Sequence, residues 1–412
     1  MTTTVPQKLF TPLKLGAIAL KHRVIMAPLT RTRSPGGIPN ENVVKYYGQR
    51  ASDGGLLISE ATHISLMGGN YYHVPGIYTP EQIRAWKKVT DAVHKKGGYI
   101  FCQLWHVGRT AHPSNLQGLR PVAPSDVKFT GKIYFTPEGP LDSVNPRPMT
   151  IEEIKNTIDD YVHAAKSAIA AGFDGVEIHG ANGYLIDQFI SSNINTRIDE
   201  YGGSVEKRAR FALDVVDAVI KAVGVERTGI RLSPFGFFQD TFTEDPVRDY
   251  GYVIEQLEKR RLAYVHLIEI RLDLEKSSPK KFATLIERAK ARGVQNLEDE
   301  LGIRPFRKLL ANTPIIGNGT YLATPSEPKA LDVEQRIGSG EINAAAFGRY
   351  FISNPDLSER LKHKKELNMY DRETFYTQGS KGYTDYPTWD ENVQGTTKAD
   401  EQPTQLYQIT YF

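Results

Sequence analysis

Cysteine is almost absent: Cys102 is the only one among 412 residues. No disulfide can close within the chain, and a reducing compartment suits it. Long apolar runs are missing too. None approaches the roughly 18 residues that a membrane-spanning helix needs. The opening residues, Met1-Thr2-Thr3-Thr4-Val5-Pro6, lack the basic start and apolar stretch of a secretory signal, so a cytoplasmic location is expected. Neither sign of charge is in excess: 51 Lys and Arg against 48 Asp and Glu leave a formal net charge of +3. No block of five or more like charges occurs, and neither a nucleic-acid nor a membrane partner is expected. The G-x-G-x-x-G turn of a doubly wound dinucleotide-binding sheet does not follow the first strand-like segment. His179 has no neighbouring His, Cys or carboxylate at a spacing that completes three ligands, so no metal site is expected.

What is present has the balance of a globular protein with a substantial core: 40% hydrophobic and 24% charged residues. β-Branched apolar runs alternate with amphipathic stretches. Strands are expected at 23–27, 55–59, 99–104, 175–178, 229–232, 264–268, 314–317 and 344–347. Helical periodicity covers 80–96, 150–171, 204–223, 248–259, 325–337 and 355–365. Cap signals open three of these, Thr79-Pro80-Glu81-Gln82, Thr150-Ile151-Glu152-Glu153 and Ser204-Val205-Glu206-Lys207. Eight strand–helix units of this spacing predict an α/β fold, a parallel (β/α)8 TIM barrel with extended loops over its C-terminal mouth. Residues 1–387 are expected to form one barrel domain, followed by a polar C-terminal tail, 388–412. Residues 106–148, rich in Pro and Gly, follow the third strand and would lie over the mouth as a partial lid. Residues 271–300 intersperse Lys with Glu and read as a solvated helix plus loop. From Tyr383 onward the chain holds four tyrosines and one tryptophan. Packing on the barrel, bridging of subunits and disorder all fit that stretch.

The most informative segment is His179-Gly180-Ala181-Asn182-Gly183-Tyr184-Leu185-Ile186-Asp187-Gln188-Phe189. It follows the strand-like Phe173-Asp174-Gly175-Val176-Glu177-Ile178, at the strand end where parallel α/β proteins carry their chemistry. An imidazole and a carboxamide three residues apart offer two hydrogen-bond donors. The Tyr184 phenol, two residues on, offers a proton. This set can polarise a carbonyl and deliver one proton, but it holds no nucleophile, so the harder chemistry belongs to a cofactor. Arg231 ends the fifth strand, where a guanidinium entering a barrel needs an anionic partner, either a cofactor or an internal carboxylate such as Glu177. By strand alternation Trp105 faces inward beside Gln103, and Cys102 faces outward as an inert packing residue. Gly317-Asn318-Gly319-Thr320 and Gly348-Arg349 follow the seventh and eighth strands, where barrels build phosphate sites from loop amides and a cation.

Together these segments resemble the old yellow enzymes, flavin-dependent ene-reductases of the NADH:flavin oxidoreductase type. The resemblance is carried by Phe10-Thr11-Pro12-Leu13, Ala27-Pro28-Leu29-Thr30-Arg31-Thr32-Arg33, Gln103-Leu104-Trp105-His106-Val107-Gly108-Arg109 and the eleven residues from His179. Further matches are Tyr201-Gly202-Gly203-Ser204, Arg208-Ala209-Arg210-Phe211, Gly348-Arg349, Ser353-Asn354-Pro355-Asp356-Leu357 and Gly382-Tyr383-Thr384-Asp385-Tyr386-Pro387. The 271–310 region and the end of the tail lie outside it. The resemblance implies a barrel holding FMN noncovalently over its mouth, with NADPH or NADH as hydride donor. It implies cofactor contacts from Pro28, Leu29, Thr30, Ala61, Gln103, Arg231, Gly317, Gly319, Thr320, Gly348 and Arg349. Thr30 would tune a flavin carbonyl at the pyrimidine end, and Arg231 would face the N1–C2 carbonyl edge. The implied catalytic set is Tyr184, His179 and Asn182: the last two hold a substrate carbonyl oxygen and Tyr184 protonates the α-carbon. Trp105, Phe375 and Tyr376 would shape the substrate pocket.

The expected activity is reduction of the activated C=C bond of α,β-unsaturated aldehydes or ketones in two half-reactions, by a monomer or homodimer. The alternative is a redox-neutral use of the same scaffold, as an isomerase, cyclase or desaturase. A ligand-binding barrel without turnover and a metal-using hydrolase or aldolase stand further off. Two departures bear on the substrate entrance. Ile270 stands where the family has proline, and the charged insertion after it lengthens the connection between strands six and seven.

Overall fold

The structure is a computed structural model that describes residues 7–269, 279–291, 293–295, 301–319, 321–322 and 332–391. Eight parallel strands close into a ring. They are β1 (Val24–Met26), β2 (Leu56–Ile58), β3 (Tyr99–Trp105), β4 (Gly175–Gly180), β5 (Thr228–Leu232), β6 (Tyr264–Ile268), β7 (Ile315–Asn318) and β8 (Ala344–Phe347). Each pairs with the next, and β8 returns to β1. This is the (β/α)8 barrel that the strand–helix alternation predicts.

The strands read as near-continuous apolar runs because both of their faces are buried. Val24, Met26, Leu57, Ile100, Cys102 and Leu104 face outward into a cluster shared with the helices. Ile25, Leu56, Ile58, Phe101, Tyr264 and Ile316 alternate with them and fill the interior. Cys102 thus sits in the outer layer, and burial pushes its thiol up to about 12, which leaves it unreactive.

The helices that matter for the site are α1 (Glu41–Arg50), α2 (Pro80–His94), α3 (Ile151–Ala170), α4 (Leu185–Ile190), α5 (Val205–Val223) and α6 (Pro246–Arg260). Reciprocal capping boxes form at Thr79 with Gln82 and at Thr150 with Glu153. Ser204 makes no side-chain cap bond, contrary to expectation. The third residue after it is Lys207, where the reciprocal box needs Glu or Gln. Helices α1 and α4 lie outside the periodic segments; both are short, and Asn40 caps α1 by accepting from the amides of Asn42 and Val43. The helix expected at 355–365 is limited to Leu357–Lys362. Of the one expected at 325–337, only Val333–Gly338 falls among the described residues.

An N-terminal hairpin was not marked by the sequence pattern. Leu13–Leu15 pairs antiparallel with Ile18–Leu20, and Leu15, Ile18 and Leu20 join the interior cluster. Gly16 turns it at φ +53, with a Cβ position 2.0 Å from the Glu226 carbonyl oxygen just before β5, so no side chain fits. The hairpin plugs the N-terminal end of the barrel and leaves the other end as the mouth.

The 106–148 excursion covers part of that mouth as a packed layer. Val107, Ala111, Leu116 and Ile133 cluster with Ala61, Tyr71, Val74 and Trp105. Lys132–Ile133 and Leu141–Asp142 form a small antiparallel pair. In the charged 271–300 region Pro279–Ala291 is helical; Ile270 lies outside the described residues. The chain after Tyr383 packs on the barrel as far as it is described. Tyr383 is buried and stacked on Tyr46 at 4.1 Å, and Trp389 lies 4.9 Å from the Lys365 ammonium. Among the described residues no helix is long and apolar enough to cross a membrane, and no group of three or more metal-binding side chains occurs.

Candidate active site

The chain leaves β4 at Gly180 and reverses through two left-handed residues, Asn182 at φ 58° and Gly183 at φ 79°. Asn tolerates this region better than most residues, and Gly enters it freely. A Cβ on Gly183 would lie 2.5 Å from the Phe238 carbonyl oxygen, so the 238–240 turn can pack directly on the reversal. Three successive amides there have separate acceptors. Ala181 donates to His179 Nδ1 at 3.3 Å, Asn182 to Ser233 Oγ at 2.8 Å, and Gly183 to Asp187 Oδ2 at 2.7 Å.

The first of these bonds decides the histidine tautomer. Nδ1 accepts, so the ring proton sits on Nε2 and is available as a donor. Burial, with smaller contributions from Arg231 and His266, holds the imidazole pKa well below its ordinary 6.5. His179 is therefore neutral in the free protein at neutral pH. Its ring lies 6.1 Å from Trp105, nearly parallel, and 5.0 Å from Tyr184, edge-on; Tyr184 meets Trp105 edge-on at 4.7 Å. This three-ring contact holds the phenol beside the imidazole. Burial, helped by the Tyr376 phenol, raises the Tyr184 pKa above its usual value, so the proton stays on at neutral pH. Neutrality of His179 gives a pH prediction. Any reaction carried out at this site will show no break from His179 near pH 6.5; a break there that disappears in His179→Gln would contradict the assignment. The linked stability loss comes only as pH falls below the ordinary imidazole range, because protonation is easier in the unfolded chain.

Inside the mouth the polar side chains form a network. Gln103 Nε2 donates to Glu177 Oε1 at 2.7 Å, and His266 Nδ1 lies 2.8 Å from Glu177 Oε2. The alternative pairing of Arg231 with Glu177 is not made. Glu177 is taken by Gln103 and His266, while Arg231 donates through Nη2 to Asn318 Oδ1. Asn318 in turn donates to the Ala346 carbonyl at 2.9 Å, which orients its oxygen towards the arginine. Arg231 Nε is buried with no hydrogen-bond partner, and burial pulls the guanidinium down to about 10. A buried cationic donor with nothing to bind is the local signature of a missing acceptor.

The remaining expected residues gather at the same C-terminal ends. Pro28, Leu29 and Thr30 follow β1 half-buried, and Ala61 follows β2 within the lid cluster. Gly317 is the penultimate residue of β7, with Gly319 just beyond the strand; Gly348 and Arg349 follow β8 half-buried. Arg349 lies 5.9 Å from the Tyr370 ring. Thr320 lies outside the described residues. Tyr376 is 55% exposed and meets Phe135 of the lid edge-on at 5.1 Å, so the C-terminal segment and the lid touch over the mouth. Phe375 lies beneath, 5.7 Å from Tyr370.

Two arginines that sequence reasoning left without a role hold that segment. Arg33 donates to the carbonyls of Thr374, Phe375, Gly379 and Lys381, and Arg31 to those of Phe375 and Gly382. Both are buried. Their signal in the sequence was the pair Arg31-Thr32-Arg33 after an apolar strand, which suits an ion pair equally well. Ser233 was missed as well. A serine after a strand has no pattern of its own, and its contact with Asn182 spans 51 residues.

The chain and its architecture have counterparts among known proteins. The family model of the NADH:flavin oxidoreductase / NADH oxidase family matches residues 8–368. The flavin oxidoreductase hxnT of Emericella nidulans is 47% identical over 393 residues, spanning 92% of this chain and 97% of that protein. The 12-oxophytodienoate reductase 1 of Oryza sativa subsp. japonica is 44% identical and spans 93% of each. Among solved structures, morphinone reductase in complex with tetrahydroNAD aligns with a TM-score of 0.81 at 41% identity, covering 93% of this chain and 98% of that one. An old yellow enzyme homologue from Zymomonas mobilis aligns at 0.80 and 38% identity, covering 92% and 99%. The chain belongs to the NADH:flavin oxidoreductase / NADH oxidase family, as an FMN-dependent, nicotinamide-using oxidoreductase of the old yellow enzyme type.

Proposed function

We propose that the protein reduces the activated C=C bond of α,β-unsaturated aldehydes or ketones, with NADPH or NADH as the electron source. The observation that carries this reading is a neutral His179 with its proton on Nε2, in ring contact with a protonated Tyr184 and three residues before Asn182, at a barrel mouth where Arg231 Nε has no partner. Thr30, Gln103 and Arg231 would hold the flavin ring system, with Pro28, Leu29 and Ala61 against it. Gly317, Gly319, Thr320, Gly348 and Arg349 would hold the phosphate. FMN held there would supply the two-electron hydride chemistry that links the nicotinamide to the alkene.

Everything else is done by this chain. Addition at the β-carbon builds enolate charge on the substrate oxygen. The His179 Nε2–H and the Asn182 carboxamide hold that oxygen and stabilise it more as charge develops than in the ground state. Tyr184 gives its phenolic proton to the α-carbon; its raised pKa is no obstacle, because a carbanion-like carbon is far more basic than a phenolate. Trp105, Phe375 and Tyr376 bound the pocket and exclude water. Arg231, with its buried Nε free to donate, would offer a cationic hydrogen bond to the cofactor ring. Arg231→Met is expected to weaken FMN binding by about 1.5–3 kcal/mol, the usual worth of a hydrogen bond to a charged group. Equilibrium dialysis of the apoprotein measures this; unchanged FMN affinity would remove Arg231 from the cofactor site.

An absorption spectrum tests the whole reading. Flavin bands should bleach on anaerobic addition of NADPH and return on addition of cyclohexenone. Bands that bleach and stay bleached would point to another oxidant or to the redox-neutral alternative. The absence of flavin bands after reconstitution with FMN would overturn the proposal.

A further inference from the structure

We propose that Asp187 is a positioning residue for the His179–Asn182 donor pair, its carboxylate holding the left-handed turn that presents the Asn182 side chain. The proposal rests on the reading of that pair as the site for the substrate oxygen. Asp187 is 2% exposed on the first turn of α4, and its hydrogen-bond partners, Gly183, Ser233 and Tyr250, are not residues assigned to the cofactor. Donors from three elements converge on it. Gly183 N–H reaches Oδ2 at 2.7 Å, Ser233 Oγ lies 3.4 Å from the same oxygen, and the Tyr250 hydroxyl of α6 donates to Oδ1. Burial pushes the Asp187 carboxyl up to about 6, opposed by these hydrogen bonds and by the attraction of Arg109.

Ser233 is used twice. It accepts the Asn182 amide at 2.8 Å and offers its own proton to Asp187. Both left-handed residues of the turn therefore end on one carboxylate, Gly183 directly and Asn182 through Ser233. The carbonyl side is held from the next residue of the helix: Gln188 Nε2 donates to the Gly183 carbonyl at 2.8 Å and to that of Val107 at 3.0 Å. The preceding amide, Ala181, is already committed to His179 Nδ1. Asn182 thus lies between a histidine held from one side and a carboxylate that holds the other. Shifting the carboxylate moves the carboxamide relative to Nε2. A generic helix-start role would need only one acceptor for Gly183 N–H. It would not need a fully buried carboxylate tied to α6 and to the residue after β5, since burying a charge is costly unless it is well bonded.

The test is titration of the FMN-saturated protein with 4-chlorophenol, whose phenolate oxygen mimics the enolate, alongside FMN affinity and the unfolding midpoint. Misplacing one member of a two-donor site should weaken phenol binding of Asp187→Ala by about 10- to 100-fold. Ser233→Ala should shift it in the same direction by less. Asp187→Asn should recover most of the affinity, because one carboxamide can accept from Gly183 and donate to the Tyr250 oxygen. A purely structural role would lower the unfolding midpoint and leave phenol affinity of the FMN-saturated protein unchanged; that result in Asp187→Ala and Ser233→Ala overturns the proposal. If Asp187→Ala does not fold, Ser233→Ala and Tyr250→Phe are judged by the same criterion. Wild-type protein that binds no phenol overturns the site reading and the proposal together. Phenol binding that is lost in His179→Ala but unchanged in the Asp187 and Ser233 variants overturns the proposal alone.

Discussion

Tyr184→Phe should leave reduction of the bound flavin by NADPH nearly intact and slow its reoxidation by an enone by roughly 10²–10⁴-fold, the usual worth of a positioned general acid. The asymmetry follows from the geometry. The phenol lies edge-on to both His179 and Trp105, so phenylalanine keeps both contacts and loses only the hydroxyl. Under the proposed scheme, hydride transfer from the nicotinamide needs no proton, whereas saturation of an alkene consumes one. Stopped-flow measurement of the two half-reactions separates them. Equal loss in both would mean that Tyr184 shapes the pocket and that the proton comes from elsewhere. Loss in neither would leave protonation to solvent and remove Tyr184 as the proton donor.

Replacing both proposed oxygen donors, in His179→Ala with Asn182→Ala, should abolish measurable binding of a simple phenol. Removal of one oxyanion donor typically costs about 2.7–4 kcal/mol. His179→Ala alone is expected to be the more damaging single change. Its Nδ1 also accepts the Ala181 amide, so the substitution leaves a buried N–H unsatisfied as well as removing a donor. Asn182→Ala meets a different problem, since its φ of 58° disfavours alanine. Asn182→Gly relieves that strain and is the cleaner probe of the carboxamide. Phenol affinity unchanged in the double variant would falsify the oxygen-binding role, whatever the turnover shows.

Much of the barrel was legible because strands buried on both faces must be short and apolar, and because helix caps are local. Thr79 with Gln82 and Thr150 with Glu153 are written within four residues and form as written. The Ser204 signal failed for an equally local reason, a lysine at the position that should reach back. The N-terminal hairpin was not legible: three-residue strands give too little alternation, and their partner is the bottom of a barrel closed by later residues. The role of Arg31 and Arg33 was not legible, because the carbonyls they hold in the C-terminal segment lie more than 340 residues away. Carbonyl groups have no sequence signature.

The sequence by itself determined the chemistry available. It supplied one imidazole, one carboxamide and one phenol at a strand end, an arginine entering the barrel, and glycines after the last two strands. These are properties of residue type and strand position. The tertiary structure decided how they are used. It placed the histidine proton on Nε2 by pairing Nδ1 with a backbone amide, and it assigned Glu177 to Gln103 and His266. It left Arg231 Nε without a partner and tied the Asn182 turn to a carboxylate braced from α6. Each of these depends on which groups meet across the closed barrel, and hydrogen bonds between distant strands leave no periodicity along the chain.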